Sequence, residues 1–395
     1  MTTSGLDGLK RVTDADVYKA GVRAGTLTRD ERGLITFRYL EGYSGAPVAS
    51  TLPIRPEPVT APGGGLPPFF SGLLPEGHRL TVLRRATKTS ADDELTLLLA
   101  VGTDVPGDVQ IAPRGAQLAE ESPLATDDPG SLDFTTLADL PDRHALPGVQ
   151  AKASASMVNV PVHLRGRSAL LKLDPPNHPH LVANEALHLR HATALSIPVS
   201  GYSVVRDRNG LEGLLVARFD RPPSSTGVPA RLALEDAGQA LGIYPAHKYN
   251  VTTEDVINVL AGLTPHRPTA ARNLYLQFLY AWLTGNGDLH AKNVSVLQGA
   301  TGRWDIAPVY DVPCTVLYRD MSMALSVDGR TKNLRRRHWE ALANSIGLPM
   351  KAARAAMTGA LNAAARIDLS TLPFSGSPLH GAQRELRHRR SELEA

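Results

Sequence analysis

Apolar spacing is clearest in the second half of the chain. Leu274, Phe278, Ala281 and Trp282 recur at helical spacing and stop at Gly285, which predicts a helix ending there. Residues 180–195 place Val182, Ala186, Leu189 and Ala192 on one helical face, with Pro198 just beyond. Residues 350–365 are alanine-rich and read as a third helix. Residues 166–173 form a short apolar run with Lys172 inside it, the pattern of a strand. Residues 202–206 and 211–219 flank Asp207-Arg208-Asn209-Gly210, and Asn-Gly predicts a hairpin whose turn needs positive φ angles. In the first half, residues 14–24 read as a short helix and residues 34–40 as a strand. A Pro/Gly-rich stretch follows at 55–68.

Four zones emerge: an N-terminal subdomain (1–115), an acidic linker (116–143) containing Pro123, Pro129 and Pro141, a β-rich unit (144–220) and a mostly helical unit (221–395). The chain has 395 residues, 42% hydrophobic and 21% charged, which excludes wholesale disorder and collagen-like structure. No apolar run approaches the roughly 20 residues of a membrane span, and the N-terminus lacks the pattern of a secretory signal. The single Cys314 rules out an internal disulfide or a multi-thiolate zinc site. The expectation is a cytoplasmic protein. Net charge is +3, but residues 1–143 carry −6 and residues 330–395 carry +7. Arg335, Arg336, Arg337, Arg384, Arg387, Arg389 and Arg390 supply most of that excess, which reads first as a solvated helical face. A basic surface of this kind can also contact phosphates or an acidic partner.

The sharpest chemical signal is Gly287-Asp288-Leu289-His290-Ala291-Lys292-Asn293, in the loop after the predicted helix. Asp and Asn stand five positions apart, the spacing of a kinase catalytic loop. Phosphoryl transfer needs a carboxylate to orient the attacking hydroxyl and a nearby neutral oxygen ligand for magnesium. Asp288 suits the first task and Asn293 the second; Lys292 suits phosphate charge. Asp311 follows a predicted hairpin at 294–297 and 303–306, where a kinase places its main magnesium ligand. Alone, Asp288 and Asn293 would also fit an Asx-capped turn. Lys172 in a strand and Glu185 on the inward helix face form the pair that holds α- and β-phosphates in kinases. Pro147-Gly148-Val149-Gln150-Ala151-Lys152 opens the β-rich unit as a small-residue loop able to lay N–H groups over phosphates, though it is not a Walker motif. Ala217, Arg218, Phe219 and Asp220 sit at the junction of the two units, where a kinase hinge reads adenine.

These motifs resemble the HipA-type serine/threonine kinase toxins of bacterial toxin–antitoxin systems. The resemblance also takes in Phe69-Phe70-Ser71-Gly72-Leu73-Leu74-Pro75-Glu76-Gly77, residues 102–113, Glu235-Asp236 through Gln239 to Lys248-Tyr249, and Ala324-Leu325-Ser326-Val327. It implies an α+β, two-lobed protein-kinase-like fold with an extra N-terminal α/β subdomain and a mostly helical C-terminal lobe. It implies ATP and Mg2+ as cofactors, with Asp288 catalytic, Asn293 and Asp311 on the metal, and Lys172 on the phosphates. ATP contacts would come from residues 147–152, His290 to Asn293 and Tyr310, with adenine at Ala217 to Phe219 and the ribose near Asp220. The implied partners are a small DNA-binding antitoxin of the HipB type and a protein substrate, in known cases an aminoacyl-tRNA synthetase; operator DNA would be reached through the antitoxin complex. Ala145 stands where well-studied relatives carry an autophosphorylated serine, and Ala217 where many carry a glutamate. Two other readings stay open: a small-molecule kinase of the aminoglycoside or choline type, and a catalytically silent kinase-fold partner of a repressor.

Overall fold

The computed structural model describes residues 6–61, 65–118, 124–126, 128–139, 157–164, 167–175, 177–223, 230–299 and 301–395. The N-terminal part contains strands β1 (Asp14–Lys19), β2 (Val22–Arg29), β3 (Ile35–Tyr39) and β4 (Val59–Thr60), helices α1 (Pro68–Gly72), α2 (Gly77–Thr87) and α3 (Glu94–Val101), and strand β5 (Val109–Pro113). Its strands form one antiparallel sheet in the order β4-β3-β2-β1-β5. Residues 14–24, expected to be helical, are therefore the first hairpin. Ala15 and Val17 alternate inward and are fully buried, while Asp16 pairs with Arg23 at 2.6 Å. Ala20 and Gly21 both take positive φ, the requirement of the tightest hairpin turn. The expected strand at 34–40 is β3. Helix α3 is apolar on every side because it lies inside this domain, between the sheet and α1.

The next layer comprises β6 (Leu124–Thr126), α4 (Phe134–Asp139), β7 (Val158–Leu164), β8 (Arg167–Leu173), α5 (Leu181–Ala192), β9 (Tyr202–Arg206) and β10 (Glu212–Ala217). They build a five-stranded sheet in the order β6-β7-β8-β10-β9. Its first strand and α4 come from the supposed linker. Phe134 is fully buried against Leu171 and its neighbours, so part of residues 116–143 belongs to this lobe. The β9–β10 hairpin forms as expected, but only Gly210 has positive φ. The Asp207 carboxylate closes the turn by accepting from the N–H groups of Asn209 and Leu211, each at 2.8 Å.

The C-terminal lobe holds β11 (Leu234–Asp236), α6 (Ala237–Ala240), α7 (Thr253–Leu263), α8 (Arg267–Thr284), β12 (Ser295–Gln298), β13 (Trp304–Ile306), α9 (Arg336–Ser345), α10 (Met350–Ala365) and α11 (Gly376–Glu394). Helix α8 is its axis and is buried almost all round from Leu274 to Thr284. Ala353, Ala356, Ala360, Ala363 and Ala364 of α10 are buried, and side chains this small let two helices approach closely. Gly285 ends α8 at φ +74°, and a Cβ there would lie 2.7 Å from Val316. No helix among the described residues is long and apolar enough to cross a membrane.

The basic tail is not simply a solvated face. Arg389 is 2% exposed and lies 3.8 Å over the Trp282 ring. It donates to the carbonyls of Trp282 (3.0 Å) and Met321 (2.8 Å). Arg335 pairs with Glu392 at 2.6 Å, and Arg336 with Glu340 at 3.6 Å. These acids are already counted in the +7 balance, so the excess stands, with Arg337, Arg384 and Arg387 exposed.

Candidate active site

The loop after α8 is shaped by Asn286, which the sequence reading passed over. Its Oδ1 accepts from the Asp288 N–H (2.9 Å), and its Nδ2 donates to the Asp311 carbonyl (3.1 Å). One amide therefore ties the two acidic positions together, although they lie 23 positions apart. The Asp288 Oδ1 accepts from the Tyr249 hydroxyl at 2.8 Å. Burial and the adjacent Asp288 charge hold that hydroxyl protonated, far above the ordinary tyrosine range. Asn293 donates from Nδ2 to the Asp288 carbonyl at 2.9 Å, which leaves its side-chain oxygen as the group available to a ligand.

The hairpin of β12 and β13 returns the chain so that Asp311 faces this loop. Asp311 takes φ +56°, a left-handed conformation uncommon outside glycine. Its Oδ1 accepts from Lys172 Nζ at 3.2 Å, and the same ammonium donates to both Glu185 oxygens at 2.7 and 2.9 Å. Burial alone would favour a neutral amine, but Asp311 and Glu185 outweigh it, and the Lys172 pKa is raised. Burial pushes the Glu185 carboxyl upward against the pull of Lys172. The strand lysine and helix glutamate thus meet as their positions foretold.

Of these groups, Lys172, Asn293 and Asp311 line one side of a cleft of about 910 Å³, open to solvent, between the β-rich and helical lobes. Phe219 and Tyr310 form its apolar wall, with ring centroids 5.6 Å apart. The Tyr310 hydroxyl bonds to Ser295 Oγ (2.7 Å) and donates to the Lys292 carbonyl (3.1 Å). At the junction strand the Ala217 N–H donates to the Gly201 carbonyl (2.7 Å), and the Arg218 N–H to Ser168 (3.0 Å). The Ala217 carbonyl accepts from Ser200 Oγ at 3.1 Å and keeps a second lone pair. Among the described residues the Phe219 backbone makes no hydrogen bond, so Phe219 N–H and Ala217 C=O are the polar groups free to meet a base edge.

Several expected contacts resolve differently. The Asp220 carboxylate is taken up by Arg218, Arg221 (2.8 Å) and the Gly107 N–H (3.0 Å), and Arg218 also binds Asp104 at 2.7 Å. Burial would raise the Asp220 carboxyl, but Arg218 and Arg221 overcome it and hold it low. Asp220 and Arg218 therefore tie the hinge to the N-terminal domain while still lining the cleft. A second buried carboxylate, Asp236, also faces the cleft and caps α6 through the Gln239 N–H (2.7 Å). Burial pushes it up to about 6. Lys292 lines the cleft, but its ammonium is engaged by the N-terminal domain. That ammonium pairs with Glu76 at 2.7 Å and donates to the Gly72 carbonyl at 3.0 Å. His290 is buried edge-on against Tyr249, and burial holds it neutral, so its Nδ1 accepts from the Lys292 N–H (3.2 Å). The loop Pro147, Gly148, Val149, Gln150, Ala151 and Lys152 lies outside the described residues, as does Ala145.

Comparison with known proteins agrees with this geometry. Residues 144–367 match the HipA-like C-terminal domain, and residues 15–112 match the HipA N-terminal domain. The first match alone covers more than half of the chain. The chain belongs to the HipA family. The serine/threonine-protein kinase toxin HipA of Shewanella oneidensis is 27% identical over 339 residues, 78% of this chain and 76% of that one. The Sinorhizobium fredii protein Y4mE is 29% identical over 380 residues, 89% of this chain and 90% of that one. A solved Shewanella oneidensis HipA, in complex with HipB and operator DNA, superimposes with a TM-score of 0.77 at 21% identity, covering 96% of this chain and 97% of that one. That likeness establishes the two-lobed kinase fold with its extra N-terminal domain. With these relatives the chain is a HipA-type kinase.

Sequence reasoning about this HipA-type kinase missed Asn286, Tyr249, Asp236 and Glu76 as parts of the site. Asn286 sits one residue before the quoted loop motif, and Tyr249, Asp236 and Glu76 lay inside segments already matched to the family. Nothing local marked any of the four as facing the cleft or its loop.

Proposed function

We propose that the protein is an ATP- and magnesium-dependent serine/threonine protein kinase and the toxin of a toxin–antitoxin pair. The observation carrying this reading is the single ionic and hydrogen-bonded constellation of Lys172, Glu185, Asp311, Asn286, Asp288 and Asn293, which reaches the cleft through Lys172, Asn293 and Asp311. The adenine would lie against Phe219 and Tyr310, with its polar edge on Phe219 N–H and Ala217 C=O. Asp236, whose carboxylate is less fully engaged by arginines than that of Asp220, would accept from a ribose hydroxyl. Lys172, oriented by Glu185, would hold the α- and β-phosphates.

The hard oxygen donors of Asn293 and Asp311 fit magnesium, which prefers few carboxylates plus phosphate oxygens. Bound there, the ion would neutralise charge on the transferring phosphates. The chain's own work is positioning. Tyr249 donates to one Asp288 oxygen and so orients the carboxylate, which would accept the proton of a substrate hydroxyl. Asn286 fixes the backbone on both sides of that event. Protein rather than small-molecule acceptors, and a HipB-like antitoxin contacting operator DNA, are supported by the Shewanella relative and its complex. An aminoacyl-tRNA synthetase is the target class we propose.

Titrating nucleotide with and without magnesium tests the cofactor reading. Asp311→Asn should weaken magnesium-dependent ATP binding by about tenfold or more. Equal affinity with and without the metal would refute it.

A further inference from the structure

Among the described residues, the N-terminal domain reaches the catalytic loop through the Glu76 side chain and the Gly72 carbonyl. Glu76 lies in the turn between α1 and α2, and its carboxylate enters the C-terminal lobe. It pairs with Lys248 at 2.5 Å and with Lys292 at 2.7 Å. Those two lysine side chains are 1% and 3% exposed, so each needs an anionic partner inside the protein. Among the described residues, Glu76 is the acceptor of the Lys248 ammonium; Lys292 has in addition the Gly72 carbonyl. Gly72 allows this approach, since a Cβ there would lie 2.9 Å from Gln239.

Both lysines are joined directly to the proposed machinery. The Lys248 carbonyl accepts from the Ala291 N–H at 3.3 Å, and the next residue, Tyr249, donates to Asp288. Lys292 precedes Asn293 in the chain, and its carbonyl accepts from Tyr310. One carboxylate therefore clamps the loop on the Asp288 side and on the Asn293 side. Other cross-domain contacts, such as Gln239 to the Phe69 carbonyl (3.2 Å) and Ser50 Oγ to Glu235 (2.5 Å), do not touch the loop.

We infer that Glu76 is a positioning residue for phosphoryl transfer, so that the N-terminal domain is a working part of the active site. The inference rests on the kinase reading above. In Glu76→Gln the two buried ammoniums lose their counter-ion and must move toward the cleft, taking Ala291 and Asn293 with them. Glu76→Asp keeps the charge on a stem one methylene shorter and serves as the conservative variant.

The test compares the full chain with both variants in two assays. In phosphate transfer from ATP, Glu76→Gln should lose roughly tenfold or more in kcat, with KM for ATP changed by less than about threefold and Glu76→Asp in between. In hydrogen exchange without nucleotide, Glu76→Gln should lose amide protection at residues 286–293 while α8 and α10 keep theirs. A kcat within about twofold of the parent, or a rise, overturns the inference, as does protection lost uniformly across the lobe. If the parent itself transfers no phosphate, the kinase reading fails, and the exchange assay alone decides: unchanged protection at 286–293 refutes the clamp.

Discussion

Replacing Lys172 by methionine keeps the length of the side chain and removes its charge. The ammonium sits 2.7 Å from Glu185 and 3.2 Å from Asp311, and the Glu185 side chain is fully buried. With an effective dielectric constant of about 20, those distances correspond to gross attractions of about 6 and 5 kcal/mol. Desolvation of the three groups and repulsion between the carboxylates offset much of this. The net loss on breaking such a buried pair is about 3–5 kcal/mol. The variant leaves two carboxylates without their cation, so Glu185 will bind a proton well above its ordinary pKa. A raised folded pKa means stability that is present at low pH and lost as pH rises through it. The deficit of Lys172→Met relative to the parent should therefore be largest near pH 8 and shrink toward pH 5. Urea unfolding of both proteins at several pH values measures it, and magnesium-ATP titration should show weakened binding alongside. A deficit under about 1 kcal/mol, flat across that range, would refute the ion-pair reasoning.

Three further outcomes are expected. His188 is fully buried, and burial holds its pKa down to about 4, so stability it supplies above pH 6.5 is lost as pH falls toward 4. His188→Gln should remove about 3 kcal/mol of that acid sensitivity, read as the difference between the two proteins' stability–pH curves; identical curves would contradict the assignment. Asn286→Ala should lower kcat by about tenfold to a hundredfold and cost about 1–3 kcal/mol in stability, because it unties Asp288 from Asp311 and takes a hydrogen-bond partner from both backbone groups; unchanged turnover would remove it from the site. Arg389→Met should cost about 3 kcal/mol through the lost Trp282 stacking and two carbonyl bonds, whereas a tolerated change would return that arginine to the solvated face.

The parts of the fold legible in the sequence were those where local signals and tertiary contacts agree. Helix α8 has apolar spacing and a glycine stop, and both survive into the structure. The hairpin before the hinge was legible through its turn residues, although Asp207 rather than Asn209 shapes the turn. Residues 14–24 differ from the expected helix because β1 offers just two inward apolar residues, Ala15 and Val17, and buries the charged Asp16 and Lys19 beside them, so no clean period of two shows. The Lys172–Glu185 pair was foreseeable because an inward charge on a strand and one on a helix have few ways to be satisfied. Asp220 and Asp236 look alike in sequence. What separates them is Asp104, Gly107 and Arg221, a network spanning more than a hundred residues that no local pattern encodes. Glu76 is hidden for the same reason, with its lysines 172 and 216 positions away.

The measurement that bears most directly on the central claim is transfer of γ-labelled phosphate from ATP into bacterial lysate protein, by the parent and by Asp288→Asn. The account predicts a discrete labelled protein band with the parent and, with the variant, a signal lower by about a thousandfold. Equal labelling by the two proteins would contradict the role of Asp288. Label confined to small molecules would contradict the protein-kinase reading.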